Sequence, residues 1–170
     1  MNGITYIESF LLQPDQLFQY LAAHANWDDR MAARKTASYG VAYNYSQISY
    51  PYRPMPDHLQ VLSAQIREAI GFTPNNCLIN YYLDGQSKMG FHSDQTDILV
   101  EDTGVVIVSL GVTRTLRFRN IVDKNIIVDY ELPPGSLIYM TQAVQDEWQH
   151  AIPTANVNDG RMSLTFRKIK

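Results

Sequence analysis

His92 and Asp94 stand one residue apart at the end of NYYLDGQSKMGFHSD, residues 80 to 94. In an extended segment side chains alternate with period two, so both would project from one face and could reach a common point in space. Of the four histidines, His24 and His58 lie in helical patterns, which leaves His150 as the candidate third ligand. Two histidines and a carboxylate form a facial set that leaves three coordination positions open, an arrangement suited to non-haem Fe(II) in oxygenase chemistry. An isolated His-x-Asp arises often by chance and is more often a surface pair, so a second signal is required.

That signal lies in RMSLTFR, residues 161 to 167. Arg161 and Arg167 are six apart, so in a strand they share a face with Ser163 and Thr165, while Met162, Leu164 and Phe166 form the opposite, apolar face. Fully extended, the two arginine Cα atoms would be roughly 20 Å apart. With each side chain leaning inward, the gap suits a short dicarboxylate clamped at both ends by planar guanidinium groups. Taken alone the pair would read as two surface arginines with snorkelling stems. Beside a possible metal triad, it points to a metal with a diacid cosubstrate.

The elements that must carry these residues follow from periodicity. Pro14 and Asp15 open a helical run with Leu17, Phe18 and Leu21 that fades near Asn26. Pro56 and Asp57 open another, with Leu59, Leu62, Ile66 and Ile70 on one stripe and Gly71 as its stop. Downstream the period becomes two. Expected strands are Cys77 to Leu83, Val105 to Leu110, Arg114 to Arg119, Ile126 to Leu132, Ser136 to Met140, Glu147 to Ile152 and Arg161 to Ile169, separated by turn signals such as Pro133-Pro134-Gly135. The fold class is therefore mainly β with flanking helices (α+β), arranged as a sandwich or jelly roll.

Composition bounds the reading. The 170 residues, 45% hydrophobic and 18% charged, fit a single domain spanning 1–170. No apolar run is long enough for a membrane span, and the start MNGITYIESF lacks a basic, then apolar, leader, so a protein without membrane association is expected. With Cys77 alone there is no internal disulfide and no thiolate metal cluster, which suits a cytoplasmic location. A net charge of −3 gives no broad footprint for nucleic acid, and the local clusters Arg30, Arg34, Lys35 and Arg114, Arg117, Arg119 read first as solvated faces.

Asn80-x-Tyr82, His92-x-Asp94, His150 and the Arg161 to Arg167 pair occur in the order found in the AlkB family of Fe(II)- and 2-oxoglutarate-dependent dioxygenases, which this chain resembles. SLGVTRTLRFR, LPPGSLIYM, EWQHAIP and RMSLTFRKI look like that family's core strands, and ARKTASYGVAYNYS resembles the lead-in of its eukaryotic DNA-repair branch. The resemblance implies a double-stranded β-helix with Fe(II) held by His92, Asp94 and His150 as the catalytic centre, and with 2-oxoglutarate and O2 as cosubstrates. Arg161 and Tyr82 would hold the distal carboxylate of 2-oxoglutarate, Asn80 and Arg167 the carboxylate beside its keto group, and Ser163 would stand where several members have asparagine, with a shorter contact.

The same resemblance implies oxidative demethylation of N-alkylated nucleobases in single-stranded DNA or RNA, releasing formaldehyde, succinate and CO2. Residues 27–55 would form a substrate lid, with Tyr43, Tyr45 and Ser46 among its substrate-binding residues, Tyr43 and Tyr45 ready to stack on a base, and with Arg34 and Lys35 as a local basic patch. A tyrosine-rich strand packed half in the core is an equal reading of that stretch. Thr96 stands where DNA-repair members carry an acidic residue facing the base, and it has no charge to match a cationic one. That departure, with the acidic pI, keeps a hydroxylase of a small metabolite or protein side chain as the alternative. A non-catalytic jelly-roll binding module would need a broken ligand set, and all three ligands and both arginines are present. The protein is expected to be a monomer.

Overall fold

The computed structural model describes residues 1–170. The chain enters on β1 (Ile4–Ile7) and passes into α1 (Pro14–His24), where proline occupies the first turn and lacks only an N–H that would have had no helical partner. It then forms β2 (Lys35–Gly40), the short hairpin β3 (Tyr43–Tyr45) and β4 (Ile48–Tyr50), and α2 (Asp57–Ile70). Gly71 closes α2 at φ +105°, and its N–H donates to the Arg67 carbonyl.

The remainder is β5 (Asn76–Tyr82), β6 (Met89–His92), β7 (Val105–Gly111), β8 (Arg114–Asn120), β9 (Ile127–Leu132), β10 (Leu137–Met140), the short α3 (Gln142–Glu147), β11 (Trp148–Ile152) and β12 (Arg161–Arg167). Six strands form the larger sheet in the order β1-β10-β7-β12-β5-β2, and four form the smaller one, β6-β11-β8-β9. All pairings are antiparallel, and from β5 to β12 the chain crosses between the two sheets at every step except the β8–β9 hairpin. This is the jelly-roll arrangement that the strand pattern implies.

Alternation along β12 assigns its two faces. Met162, Leu164 and Phe166 join Leu59, Leu62 and Ile66 of α2 and Leu17 and Leu21 of α1 in the larger core, between sheet and helices. Each such fully buried aliphatic or aromatic side chain contributes about 1.5–3 kcal/mol of burial free energy. The other face looks between the sheets, where a second core of Leu116, Phe118, Leu132, Ile138 and Ile152 closes one end. The site occupies the other.

Three expectations need correction. His92 and Asp94 do not share one strand: β5 ends at Tyr82, a turn anchored by the Asp84 side chain follows, β6 belongs to the other sheet and stops at His92, and Asp94 lies beyond its end. Local alternation therefore does not orient Asp94. Its backbone N–H donates to Gln145 Oε1 of α3 at 2.7 Å instead. The two basic clusters are not simply solvated faces, because Arg34 and Arg114 are buried. And within 27–55, the stretch Lys35–Gly40 is the edge strand of the larger sheet, paired along β5, so only the β3–β4 hairpin overhangs the site.

β1, β2, β6 and α3 have no counterpart among the elements expected from periodicity, while β3 and β4 answer to the tyrosine-rich strand reading. β2 reads as Lys-Thr-Ala-Ser-Tyr-Gly, where Ala37 and Tyr39 alone alternate as apolar positions, and it is held by its ladder to β5 and by those two core residues.

Candidate active site

A narrow cleft opens between the sheets, lined among others by Tyr45, Asn80, Tyr82, His92, Asp94, His150, Arg161, Ser163, Thr165 and Arg167. A separate groove between α1 and α2, around Leu17 and Val61, is remote from it.

At one end stand the three metal-capable groups. His92 and His150 are directly opposite each other in the β6–β11 ladder, and their Nε2 atoms lie 3.6 and 3.7 Å from the two carboxylate oxygens of Asp94. All three ligand atoms fall within 4.8 Å of one another. His92 Nδ1 is 2.8 Å from the Gly90 carbonyl oxygen, which can only accept, so the ring N–H belongs on Nδ1 and the Nε2 lone pair faces Asp94.

Electrostatics keep this cluster ready to ligate. Burial acts against the charge on Asp94, but the His92 contact and the nearby Arg167 and His150 outweigh it and hold the carboxyl well below its usual range. Burial, reinforced by His92 and Arg167, pushes His150 down to about 4, so it is a neutral imidazole at physiological pH. His92 shifts the other way, because Asp94 overcomes the effect of its burial.

At the other end and along the floor lie the arginines. Arg161 is fully buried and Arg167 nearly so (0% and 3% exposed), which rules out snorkelling surface side chains. Arg161 Nη2 donates to Ser109 Oγ at 2.9 Å, while its Nε and Nη1 have no protein partner. Arg167 Nη2 stands 3.6 Å from Asp94 Oδ1, with Nε and Nη1 likewise unpartnered. Buried, unpaired guanidinium N–H groups are costly unless something else accepts them. A dianion does, and burial that lowers Arg161 to about 10 shows how strongly its charge lacks compensation.

Tyr82 concentrates this field. The guanidinium carbons of Arg161, Arg114 and Arg34 lie 5.5, 5.6 and 5.9 Å from its ring centroid. Register puts Arg161 opposite Tyr82 and Ser163 opposite Asn80 across the β12–β5 ladder, so both pairs face the cleft. The small Ser163 and Thr165 between the arginines leave the room that a diacid requires. The cleft thus fits both an octahedral Fe(II), through two imidazoles and a carboxylate, and 2-oxoglutarate, through paired donors.

The lid residues divide. Tyr43 and Tyr50 are buried with Leu78 in a small third core, so the half-core reading holds for them, and Arg167 sits 4.9 Å over the Tyr43 ring. Tyr45 lines the cleft. Ser46 is exposed at the hairpin tip, where it and Gln47 take positive φ angles of 49° and 65°, the backbone of a tight two-residue turn. Arg34 Nε donates to Asn80 Oδ1 at 2.8 Å and Nη2 to Tyr45 Oη at 2.6 Å. Lys35, opposite Tyr81, is on the sheet face away from the cleft, and Thr96 is half-buried outside its lining.

Several residues at the site had no sequence signal as parts of it. Gln145 orients Asp94 from α3, Ser109 receives Arg161, and Met89, Ile107 and Leu116 wall the cleft. Thr165, which the period-two pattern places on the face of Ser163, lines the cleft beside it.

The geometry agrees with what sequence and fold comparisons find. The model of the 2OG-Fe(II) oxygenase superfamily matches residues 14–167. Alpha-ketoglutarate-dependent dioxygenase alkB homolog 3 of Rattus norvegicus is 30% identical over 181 residues, covering 94% of this chain, and this chain spans 61% of that protein's length. DNA oxidative demethylase ALKBH2 of Bos taurus is 31% identical over 147 residues, covering 80% of this chain and 53% of that protein. A solved structure of OsALKBH1 superimposes with a TM-score of 0.71 at 18% identity, covering 98% of this chain and 96% of the other, a likeness of fold. With its metal-capable triad and paired buried arginines on a jelly roll, the chain belongs to the 2OG-Fe(II) oxygenase superfamily, whose cofactor set is Fe(II), 2-oxoglutarate and O2, and within it to the AlkB family.

Proposed function

We propose that the protein is a 2-oxoglutarate-dependent dioxygenase that oxidatively demethylates N-alkylated nucleobases in single-stranded DNA or RNA. One observation carries this reading: a tyrosine-bearing hairpin overhangs a cleft that holds both the His92, Asp94, His150 cluster and two buried arginines with unpartnered N–H groups. The names of the relatives, which describe an alpha-ketoglutarate-dependent dioxygenase and a DNA oxidative demethylase, support extending that chemistry to this chain.

The division of labour follows from position. Arg161, with Tyr82 beside it, binds the distal carboxylate of the cosubstrate, and Asn80 and Arg167 hold the carboxylate next to the keto group. Fixed donors at both ends orient the diacid toward the triad and remove the entropy of its rotation from the barrier. Ser163 adds a short polar contact between them. Bound there, Fe(II) supplies the activation of O2 that a protein side chain cannot perform. One O2 and one 2-oxoglutarate are consumed; one oxygen atom enters succinate, formed with release of CO2, and the other enters the N-methyl C–H bond. The resulting N-hydroxymethyl group loses formaldehyde and leaves the bare nitrogen, the hydroxyl proton passing to that nitrogen in a neutral base and to solvent from a cationic one.

Tyr45 in the cleft and the Tyr43 ring behind it provide the aromatic surface for a planar base. An unpaired base costs less to present than one drawn from a duplex, which favours single strands. Arg34 takes part through the pocket, holding Tyr45, whereas Lys35, Thr96 and Ser46 lie outside the cleft lining. We include a monomeric, cytoplasmic protein in this proposal, supported by the single buried Cys77. No helix is long and apolar enough to cross a membrane.

The test is mass spectrometry of single-stranded oligonucleotides carrying one N-methylated base, incubated with protein, Fe(II), 2-oxoglutarate and O2. Loss of the methyl group with matching succinate is expected. Succinate with no methyl loss from any nucleobase would shift the reading to a metabolite or protein side chain, which the uncharged Thr96 also favours.

A further inference from the structure

The charges and hydrogen-bond donors around the cleft restrict which bases it can take. Asp94 is the only carboxylate among the lining residues, and it is committed to the metal cluster. Of the residues that follow it, Gln95 and Thr96 carry no charge, and the Asp97 carboxylate is exposed outside the cleft lining. Against this stands Arg34, buried at the hairpin side of the cleft and touching three of its lining residues: it bonds to Asn80 and Tyr45 and lies 5.9 Å over the Tyr82 ring. Its hydrogen bonds go to Asn80 Oδ1, the Lys88 carbonyl and Tyr45 Oη, and no salt bridge neutralises it.

Tyr45 carries the second half of the argument. Its hydroxyl oxygen accepts from Arg34 Nη2, so its own proton is left to donate. The acceptor it has is the Met89 thioether sulfur at 4.0 Å, a weak partner that a carbonyl oxygen would displace. The mouth of the cleft therefore offers a cation and a hydroxyl donor. It offers no carboxylate to accept from an exocyclic amine or to balance a positive base.

We infer that the alkylated base is uncharged and presents carbonyl oxygens beside its N-methyl nitrogen, as N3-methylthymine and N3-methyluracil do, and is not one of the cationic amino-bearing bases, N1-methyladenine or N3-methylcytosine. This rests on the demethylase reading above and narrows it. A carbonyl next to the reacting nitrogen takes the Tyr45 proton, whereas a cationic base meets Arg34 and places an N–H donor against another donor. The chemistry is unchanged: the methyl carbon leaves as formaldehyde and the ring nitrogen of the neutral base regains a proton.

The experiment is a competition among four single-stranded oligonucleotides of one sequence, bearing N3-methylthymine, N3-methyluracil, N1-methyladenine or N3-methylcytosine, read by mass spectrometry for methyl loss. We expect kcat/KM for the neutral bases to exceed that for the cationic ones by about tenfold or more. Equal or greater turnover of the cationic bases overturns the inference and leaves the demethylase reading standing. Succinate formation with no methyl lost from any of the four overturns both. A Tyr45→Phe variant gives the second readout, because it removes the donor and keeps the ring: the neutral-to-cationic ratio is expected to fall by about fivefold or more. An unchanged ratio in a folded variant would count against the assignment.

Discussion

His92 and His150 face each other across the β6–β11 ladder, with ring centroids 4.3 Å apart. The two imidazoles are thus fixed by backbone pairing, and only Asp94, held from α3 through Gln145, depends on a loop. Replacing Asp94 by Ala removes one of three ligands while leaving both strands paired. Succinate formation should fall by more than about 100-fold, with the circular dichroism of the fold retained. Turnover equal to that of the parent protein would remove the metal assignment.

Arg161→Lys keeps a positive charge but gives up the planar fork that the buried site presents. The dissociation constant for 2-oxoglutarate should rise by about 10- to 100-fold, measured by calorimetry under anaerobic conditions with Mn(II). Iron-site affinity should change little. An unaltered cosubstrate affinity would contradict the placement of the diacid.

Arg34 ties the β3–β4 hairpin to Asn80 on the sheet. Arg34→Met should release the hairpin. Amide hydrogen exchange across residues 43–50 is expected to quicken by about tenfold, while exchange in β12 stays slow. A hairpin as protected as before would show that the Tyr43, Tyr50 and Leu78 packing suffices by itself.

Proton competition for the metal should come from His92 and not from His150. The folded value of His92 is raised above 6.5, so its protonated form is held by the metal-free fold; that stabilisation is present below 6.5 and is lost as pH rises through the raised value. His150, pushed down to about 4, works in the opposite sense: its contribution is complete above 6.5 and is lost as pH falls toward 4. Mn(II) should therefore bind the metal-free protein more tightly at pH 8 than at pH 6, through deprotonation of His92. Affinity that is flat over this interval would contradict the raised value.

Gly40 ends the edge strand at φ +85° and sends the chain toward the hairpin. A Cβ there would lie 2.0 Å from the Asn75 carbonyl oxygen. Gly40→Ala combines a disfavoured backbone conformation with a clash against main chain, and should destabilise the protein by about 2–4 kcal/mol in urea unfolding. A loss below about 0.5 kcal/mol would show that the Gly40–Asn75 contact is not rigid.

The sequence by itself determined what depends on local spacing. The six-residue interval of Arg161 and Arg167, the apolar face of Met162, Leu164 and Phe166, the stripe of α2 and its glycine stop are all consequences of a helix or strand period. They appear in the structure at nearly the same residues. The ligand set was likewise legible as residue types. The tertiary structure alone decided how those types meet: that His150 falls opposite His92, that Asp94 is aimed by Gln145 from another element, and that Ser109 receives Arg161. It also turned Arg34 and Arg114, which composition places on the surface, into buried charges held by carbonyl and side-chain oxygens. The physical reason is that strand register and inter-sheet packing join residues far apart in sequence, as Tyr82 with Arg161 and Ile4 with Met140. A local period carries no information about which distant strand will supply the partner.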